Sequence, residues 1–236
     1  MIEAVIFDFD GTLVDSEPNY ALSDVAMVRR FGGSLSVFEH HEYIGVGAER
    51  FISAMKERYA IEVSREEMRR VQEEEYLKLA LTRTEVFPEM ERLLVALDKR
   101  RVPLAIASGT SGELLEKLSM STGIRRHFRV VLSSEEVKRG KPAPDVFLEA
   151  ARRLGVAPEH CLVLEDSIAG CEAALAAGMA LIALPGQYQQ DRLHRFPHGG
   201  TLLPGGMKEF ESHMVLDRLA PSFQKNVAVA GHGENR

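Results

Sequence analysis

Two aspartates lie one residue apart at the end of an apolar stretch near the start of the chain. Asp8 and Asp10 follow residues 2–7, IEAVIF, a run with the composition of a buried strand. Buried charges are rare without partners, and two like charges this close raise each other's cost of ionisation. An aspartate followed by a glycine is also common in turns, so the pair alone leaves a structural turn open. A cation bound between the two carboxylates is the functional alternative.

Three further groups of polar residues each follow another predicted strand, VPLAIA, FRVVLS or HCLVLE. They are Ser108 with Gly109, Lys141, and Glu165 with Asp166. Because the carboxyl ends of parallel strands meet at one edge of a sheet, we expect these side chains to converge with the first pair. Converging carboxylates need a hard divalent cation, and oxygen ligands suit Mg²⁺. A hydroxyl, a helix N-terminus and a lysine beside that cation predict a phosphate site.

Such a set of groups can transfer a phosphoryl group. A carboxylate that contacts the metal can act as the nucleophile and form an aspartyl phosphate. A second carboxylate, two residues further on, can protonate the leaving oxygen and later take a proton from water. The residue types therefore predict phosphoryl chemistry on a small molecule.

The elements that must position these residues alternate between strand and helix. Segments with helical spacing separate five short apolar runs with the character of strands, at residues 2–7, 102–107, 128–133, 160–165 and 180–185. This alternation predicts an α/β fold with a doubly wound (Rossmann-like) parallel sheet. Capping-box patterns predict helix starts at Thr110 and at Ser64.

The interval between the first two strands has a different pattern. It contains helical segments near residues 17–31, 47–59 and 65–81, and no convincing strand. An interval of about 70 residues is too long for a crossover and too helical for a loop. We predict an inserted all-helical cap domain, joined through hinges near 14–17 and 82–88. The predicted domains are a core (1–15 and 86–210), the cap (16–85) and a partly loose C-terminal segment (211–236).

Four motifs, in this order, carry a resemblance to a known family. DFDGTL, ASGTS, KPAPDVF and LEDSIAG resemble the motifs of the haloacid dehalogenase superfamily. Over residues 2–186 the chain is most similar to the branch with a small helical cap, which contains sugar phosphatases and beta-phosphoglucomutase. The dehalogenases themselves fit less well, because they need no Mg²⁺ and lack the acid/base aspartate that this chain has at Asp10.

The resemblance implies a role for each core residue. Asp8 would be the nucleophile and a metal ligand, and Asp10 the general acid/base that also binds the metal through its backbone carbonyl. Ser108 and neighbouring backbone amides would hold the phosphoryl group, and Lys141 would neutralise Asp8 and the phosphate. The implied Mg²⁺ ligands at the last motif are Asp166, directly, and Glu165, directly or through water.

The substrate would be chosen by the cap, because the core motifs contact only the phosphoryl group. We expect contacts to the substrate from Gly11, Thr12, Ser108, Gly109 and Lys141 in the core and from Tyr20, Gly45, Val46 and Gly47 in the cap. His40 and His41 also lie in the cap. We predict for them a solvated loop rather than a pair of metal ligands.

The motifs leave the reaction open. Where beta-phosphoglucomutase carries a histidine and a phosphate-gripping arginine, this chain has Tyr20 and Ala48. Hydrolysis of a small phosphorylated metabolite, such as a sugar phosphate, is therefore favoured over an isomerase of the mutase kind. Phosphonate-cleaving members need a cap lysine, for which Lys56 and Lys78 are the candidates. A non-catalytic, phosphate-sensing protein resembling a receiver domain is the third class, but receivers are shorter and lack a cap.

The bulk composition narrows the partners. A net charge of -6 and a pI near 5.8 argue against nucleic acid as a partner. No apolar run approaches the length of a membrane span, and no signal peptide is recognisable. The two cysteines, Cys161 and Cys171, lie in apolar segments and predict buried thiols in a reducing compartment. We expect a cytoplasmic monomer whose partners are a small metabolite and Mg²⁺.

Overall fold

The computed structural model of the chain describes residues 1–43 and 48–224. Within it the chain divides into two compact units. One comprises Met1–Val14 together with the chain from Val86 onwards, and the other is Asp15–Glu85. We call them the sheet unit and the helical unit. The changeovers fall within the two segments where hinges were predicted.

Eight strands are described. In chain order they are β1 (Ala4–Phe7), β2 (Val14–Asp15), β3 (Glu85–Val86), β4 (Leu104–Ser108), β5 (Val130–Ser133), β6 (Cys161–Glu165), β7 (Ala180–Ala183) and β8 (Thr201–Leu202). β2 pairs with β3, and the other six form one sheet of order β5-β4-β1-β6-β7-β8. Every pairing in that sheet is parallel. The α/β fold with a doubly wound sheet is therefore confirmed.

The strand order creates a crevice beside β1. The chain runs from β1 outward to β4 and β5, and then returns to the other side of β1 to form β6. Phe7, the last residue of β1, lies opposite Ile106 of β4 and Leu164 of β6. Ligands of open α/β sheets bind where the strand order reverses, at the carboxyl ends of the strands. In this sheet that point lies between β1 and β6.

Ten helices are described across the two units. They are α1 (Glu17–Arg30), α2 (Val37–His40), α3 (Ala48–Arg58), α4 (Arg65–Arg83), α5 (Pro88–Lys99), α6 (Gly112–Ser121), α7 (Asp145–Leu154), α8 (Ile168–Ala176), α9 (His213–Leu216) and α10 (Pro221–Gln224). In α7, Phe147, Ala150 and Ala151 are buried in the sheet unit's core. The helix ends at Leu154 and is capped by Gly155, whose φ of 74° is accessible to glycine at little steric cost.

The helical unit has its own apolar core. Helices α1, α3 and α4 supply it, with Val28, Ile52 and Met68 among the buried residues. The predicted start of α4 is confirmed, because the Ser64 hydroxyl accepts a hydrogen bond from the Glu67 backbone amide at 3.0 Å. Whether this unit works as a cap domain stays a prediction.

The solvated-loop prediction is wrong for His40. Its side chain is buried, and its Nε2 lies 2.6 Å from Asp24 Oδ2. Gln72 donates to the other oxygen of Asp24. A buried carboxylate needs hydrogen-bond partners, and His40 at the end of α2 is one of the partners of Asp24 in α1. His41, by contrast, is exposed.

The last described residues pack against the sheet unit. Val215 and Leu219 are buried, and Ile2 donates to the Arg218 carbonyl at 3.0 Å. The final twelve residues of the segment predicted to be partly loose lie outside the described residues. Both cysteines are free and buried, as predicted. Within 1–43 and 48–224, no helix combines the length and apolar character needed to cross a bilayer.

Candidate active site

Two acidic side chains lie in the crevice beside β1, at the ends of two neighbouring strands. Asp8 directly follows β1, and Glu165 is the last residue of β6. The Asp8 amide donates to the Leu164 carbonyl at 3.0 Å, which continues the β1–β6 ladder past the last residue of β1. Both carboxylates are buried, at 6% and 1% exposure. Burying two carboxyl groups side by side at a strand switch point is costly without a cation.

Lys141 supplies the first positive charge. Its Nζ donates to Asp8 Oδ1 at 2.5 Å and to Glu165 Oε1 at 2.7 Å. Only a tenth of its side chain is exposed. Burial alone would lower the pKa of Lys141, but the charges of Asp8 and Glu165 outweigh burial and raise it. The lysine is therefore a fixed ammonium between two carboxylates that lie far from it in the sequence.

One ammonium does not balance the acids at this point. Carboxylate oxygens of Asp8, Glu165 and Asp166 lie within 4.8 Å of one another. Burial raises the pKa of Asp8 to about 8, against the opposing charge of Lys141. Burial also raises the pKa of Asp166 well above its usual value, with the charges of Glu165 and Asp8 adding to the effect. A divalent cation would offset the cost of ionising Asp8 and Asp166 together, and the oxygen donors fit Mg²⁺.

Glu165 is held in place from two sides. Its Oε2 accepts hydrogen bonds from the Ser167 amide at 2.6 Å and the Ser167 hydroxyl at 2.9 Å. Its Oε1 accepts from Lys141. Because both oxygens are already hydrogen-bonded, this carboxylate fits an indirect role better than a direct ligand role. Of the two possibilities left open for Glu165, the contact through water is the one that this geometry favours.

Gly170 leaves the space that the Glu165 carboxylate occupies. A Cβ atom at position 170 would lie 1.6 Å from Glu165 Oε1. Glycine in the first turn of α8 therefore allows the acid to fold back over the helix. A side chain at this position would displace Glu165 and, with it, one of the two carboxylates that hold Lys141.

Gly170→Ala is expected to destabilise the protein and slow its reaction. Overpacking a buried site costs about 1–3 kcal/mol, which outweighs the helix propensity that alanine gains. Urea unfolding followed by circular dichroism measures the loss. Gly112→Ala is the matched control in α6, because its Cβ would meet only the Ser133 Cβ at 3.7 Å. Equal unfolding midpoints for the two variants would contradict the steric role of Gly170.

The turn after β1 also approaches the acids closely. Gly11 has a φ of 74°, and a Cβ there would lie 2.5 Å from Asp166 Oδ2. The hydroxyl of Thr12 is buried and makes no hydrogen bond to any residue that the structure describes. Gly11 thus gives the backbone its approach to Asp166, while Thr12 faces the protein interior. The predicted substrate contacts of both residues stay predictions.

The turn after β4 brings a further hydroxyl to the site. Ser108 is buried at the end of β4, and its Oγ accepts a hydrogen bond from the Thr110 amide at 3.1 Å. Gly109 is exposed, with no neighbour within 4 Å of a Cβ built there. Thr110 is not the helix cap that the sequence pattern predicts, because α6 starts at Gly112 after an N-cap at Ser111.

Thr110 instead contacts the second aspartate. Its Oγ1 donates to Asp10 Oδ2 at 2.5 Å. The side chain is available for this contact because the helix begins one residue later than the capping pattern indicates. Sequence reasoning missed this contact. The signal that could have found it was the position of Thr110 two residues after β4, the strand that pairs with β1.

The predicted cap residues lie in the helical unit or outside the described residues. Tyr20 stacks on Tyr76, with ring centroids 4.1 Å apart. Gly45, Val46 and Gly47 belong to the part of the chain that the structure does not describe. The two lysines considered for phosphonate chemistry have local partners. Lys56 donates to the carbonyls of Ile61 and Val63, and Lys78 pairs with Glu75.

A family model confirms what the motifs resemble. Residues 2–178 match the model described as haloacid dehalogenase-like hydrolase. The chain belongs to the haloacid dehalogenase-like hydrolases. Within this family, the phosphorylated carbohydrates phosphatase of Thermotoga maritima is 32% identical over 77% of this chain and 84% of its own length. The fructose-1-phosphate phosphatase YqaB of Escherichia coli is 31% identical over 74% of this chain and 92% of its own.

A solved structure of this hydrolase family has the same fold. It is a Thermotoga maritima protein provisionally described as a beta-phosphoglucomutase, with 27% identity and a TM-score of 0.77. The similarity covers 93% of this chain and 100% of that one. The similarity extends well beyond the matched motifs, and it confirms the predicted relation to the beta-phosphoglucomutase-like branch of the haloacid dehalogenase-like hydrolases.

Proposed function

We propose that this protein is a Mg²⁺-dependent phosphatase that hydrolyses a small phosphorylated metabolite, a sugar phosphate, through an aspartyl phosphate. The observation that carries the proposal is the position of Asp8. It lies at the strand switch point, hydrogen-bonded to Lys141 and grouped with two further acids. Relatives named as sugar phosphatases support hydrolysis over isomerisation and indicate the class of substrate.

In the first step, a carboxylate oxygen of Asp8 attacks the phosphorus. The bond from phosphorus to the substrate's oxygen breaks, and Asp10 donates its proton to that leaving oxygen. Lys141 stabilises the negative charge on Asp8 and on the phosphoryl oxygens. Ser108 and the neighbouring amides orient the phosphoryl group. The product alcohol then departs and leaves an aspartyl phosphate.

In the second step, Asp10 acts as the base. It takes a proton from a water molecule as the water's oxygen attacks the phosphorus, and the bond to Asp8 breaks. Inorganic phosphate leaves, Asp8 is a carboxylate again and Asp10 is protonated for the next turnover. One acid residue therefore serves both steps in opposite directions.

Asp8, Asp10 and Asp166 are the residues that would hold Mg²⁺, with Glu165 behind them. When bound, the ion neutralises charge on the phosphoryl oxygens and offsets the repulsion between the acids. Asp8, Glu165 and Asp166 fit this role because their carboxylate oxygens are close together and, among the described residues, Lys141 alone forms an ion pair with Asp8 and Glu165. We further propose that the helical unit, 15–85, is the cap that selects the substrate.

The metal requirement is tested by phosphate release and by heat stability. We expect EDTA to abolish release of p-nitrophenolate from p-nitrophenyl phosphate, and Mg²⁺ to restore it. At about 100 times its dissociation constant, Mg²⁺ should also raise the free energy of unfolding by about 2.7 kcal/mol. Asp166→Asn should lose this rise, whereas Asp191→Asn, an exposed acid, should keep it. Full activity in EDTA would refute the metal-dependent mechanism.

The substrate class is tested with a panel of phosphorylated metabolites. Hexose, pentose and polyol phosphates are compared with nucleotides and phosphoamino acids by the inorganic phosphate that they release. We expect the highest kcat/KM among the sugar phosphates. A preference for nucleotides would leave the phosphatase chemistry intact and overturn only the substrate class.

A further inference from the structure

The hydroxyl of Thr110 and the carboxylate of Asp10 form a short contact between two strand ends. The oxygen atoms lie 2.5 Å apart, at the short end of the range for a hydroxyl bonded to a carboxylate. A hydroxyl has one proton to donate, so Thr110 directs it at Oδ2 of Asp10. This bond restrains the rotation of the Asp10 carboxylate about its last side-chain bond.

Thr110 is itself fixed by the sheet. Its amide donates to Ser108 Oγ at 3.1 Å, and its carbonyl accepts from Ser133 Oγ at 2.7 Å. Ser108 and Ser133 are partners in the β4–β5 ladder, and both are 1% exposed. The threonine backbone is thus attached to the ends of two buried strands. A side chain on so rigid a support can set the orientation of a neighbouring group.

We propose that Thr110 is a positioning residue whose hydroxyl, bonded to Oδ2, holds the Asp10 carboxylate in the orientation that proton transfer requires. This inference rests on the proposed phosphatase function. In the first step, the proton moves from Asp10 to the leaving oxygen as the bond from phosphorus to oxygen breaks. In the second, Asp10 takes a proton from the attacking water. Without the hydroxyl the carboxylate rotates, and both proton transfers slow.

The test compares two substrates that differ in their need for that proton. p-Nitrophenolate is a weak base and leaves unprotonated, whereas the alkoxide of glycerol 2-phosphate must be protonated as it leaves. Thr110→Val removes the hydroxyl and keeps the shape, and Thr110→Ser restores the hydroxyl. Thr122→Val is the matched control, because its hydroxyl donates only to carbonyls within α6, those of Leu118 and Ser119.

The expected signature of Thr110→Val is a burst. Rapid mixing with p-nitrophenyl phosphate and Mg²⁺ should release one p-nitrophenolate per site at close to the wild-type rate. Steady-state turnover should then be about 10- to 100-fold slower, within the range that acid–base catalysis contributes. With glycerol 2-phosphate the same variant should be slow from the first turnover, without a burst. Thr110→Ser should regain most of the wild-type rates, and Thr122→Val should match the wild type.

Other outcomes overturn the inference in ways that can be told apart. Wild-type kinetics in Thr110→Val would remove any role for the hydroxyl. An equal loss in the burst and the steady state, or no recovery in Thr110→Ser, would indicate a packing role instead. A wild-type protein that releases no phosphate from either substrate with Mg²⁺ would overturn the proposed function, and this inference with it.

Discussion

Asp8→Asn is expected to abolish phosphate release and, in metal-free buffer, to make the protein more stable to heat. Loss of a nucleophile lowers kcat by about 10⁴-fold or more. The stability gain follows from burial, which raises the pKa of Asp8 to about 8. A carboxyl whose pKa is raised in the folded state destabilises that state increasingly as the pH rises from its usual value towards the raised one. Asparagine removes that charge and keeps the shape.

The measurement is a pair of melting curves in EDTA at pH 8, combined with steady-state phosphate release in Mg²⁺. We expect the variant to melt at least about 2 °C above the wild type, since about 1 kcal/mol gives such a shift in a chain of this size. Asp145→Asn is the control. It breaks an ion pair with Arg139, which is two-thirds exposed, and should leave the rate unchanged. A wild-type rate in Asp8→Asn would disprove the assignment of the nucleophile.

The sheet and the convergence of the acids could be predicted because their signals are local. Each of the five predicted strands is a continuous apolar run, and each polar group follows the end of one run. Once the strands are parallel, their carboxyl ends must meet, which brings Asp8, Lys141 and Glu165 together. The roles that the resemblance implies for these residues stay predictions, to be decided by the kinetics above.

The contacts that sequence reasoning missed depend on side-chain rotamers and distant partners. Thr110 is the first residue of a capping-box pattern, yet its hydroxyl bonds to Asp10, 100 residues away. His40 looks like half of a polar loop, yet it is buried against Asp24. β8 is only two residues long and lies in a stretch rich in glycine and proline. None of these features produces a repeating pattern of apolar and polar residues that could be recognised in the sequence.

Lys141→Met is expected to combine a large loss of activity with a large loss of stability. Methionine keeps the apolar stem that packs near the Phe147 ring, which Nζ approaches to 5.0 Å from its centroid. What it removes is the charge. Removing Lys141 leaves two buried carboxylates uncompensated and costs about 3–5 kcal/mol, whereas Asp8→Asn leaves the lysine paired with Glu165. Removing a group that stabilises developing charge lowers kcat by about 10²- to 10³-fold.

The double variant Asp8→Asn with Lys141→Met separates charge balance from packing. If Lys141 stabilises the fold through its charge, Asp8→Asn should stabilise the Lys141→Met protein by more than it stabilises the wild type, so the two single changes should not add. Lys117→Met is the control for the loss of a surface lysine, since it pairs with the exposed Glu113 and should shift the melting temperature little. An equal effect of Asp8→Asn in both backgrounds would mean that Lys141 acts through its packing alone. Mg²⁺ should raise the melting temperature of Lys141→Met more than that of the wild type, because the ion then supplies the charge that the lysine no longer provides.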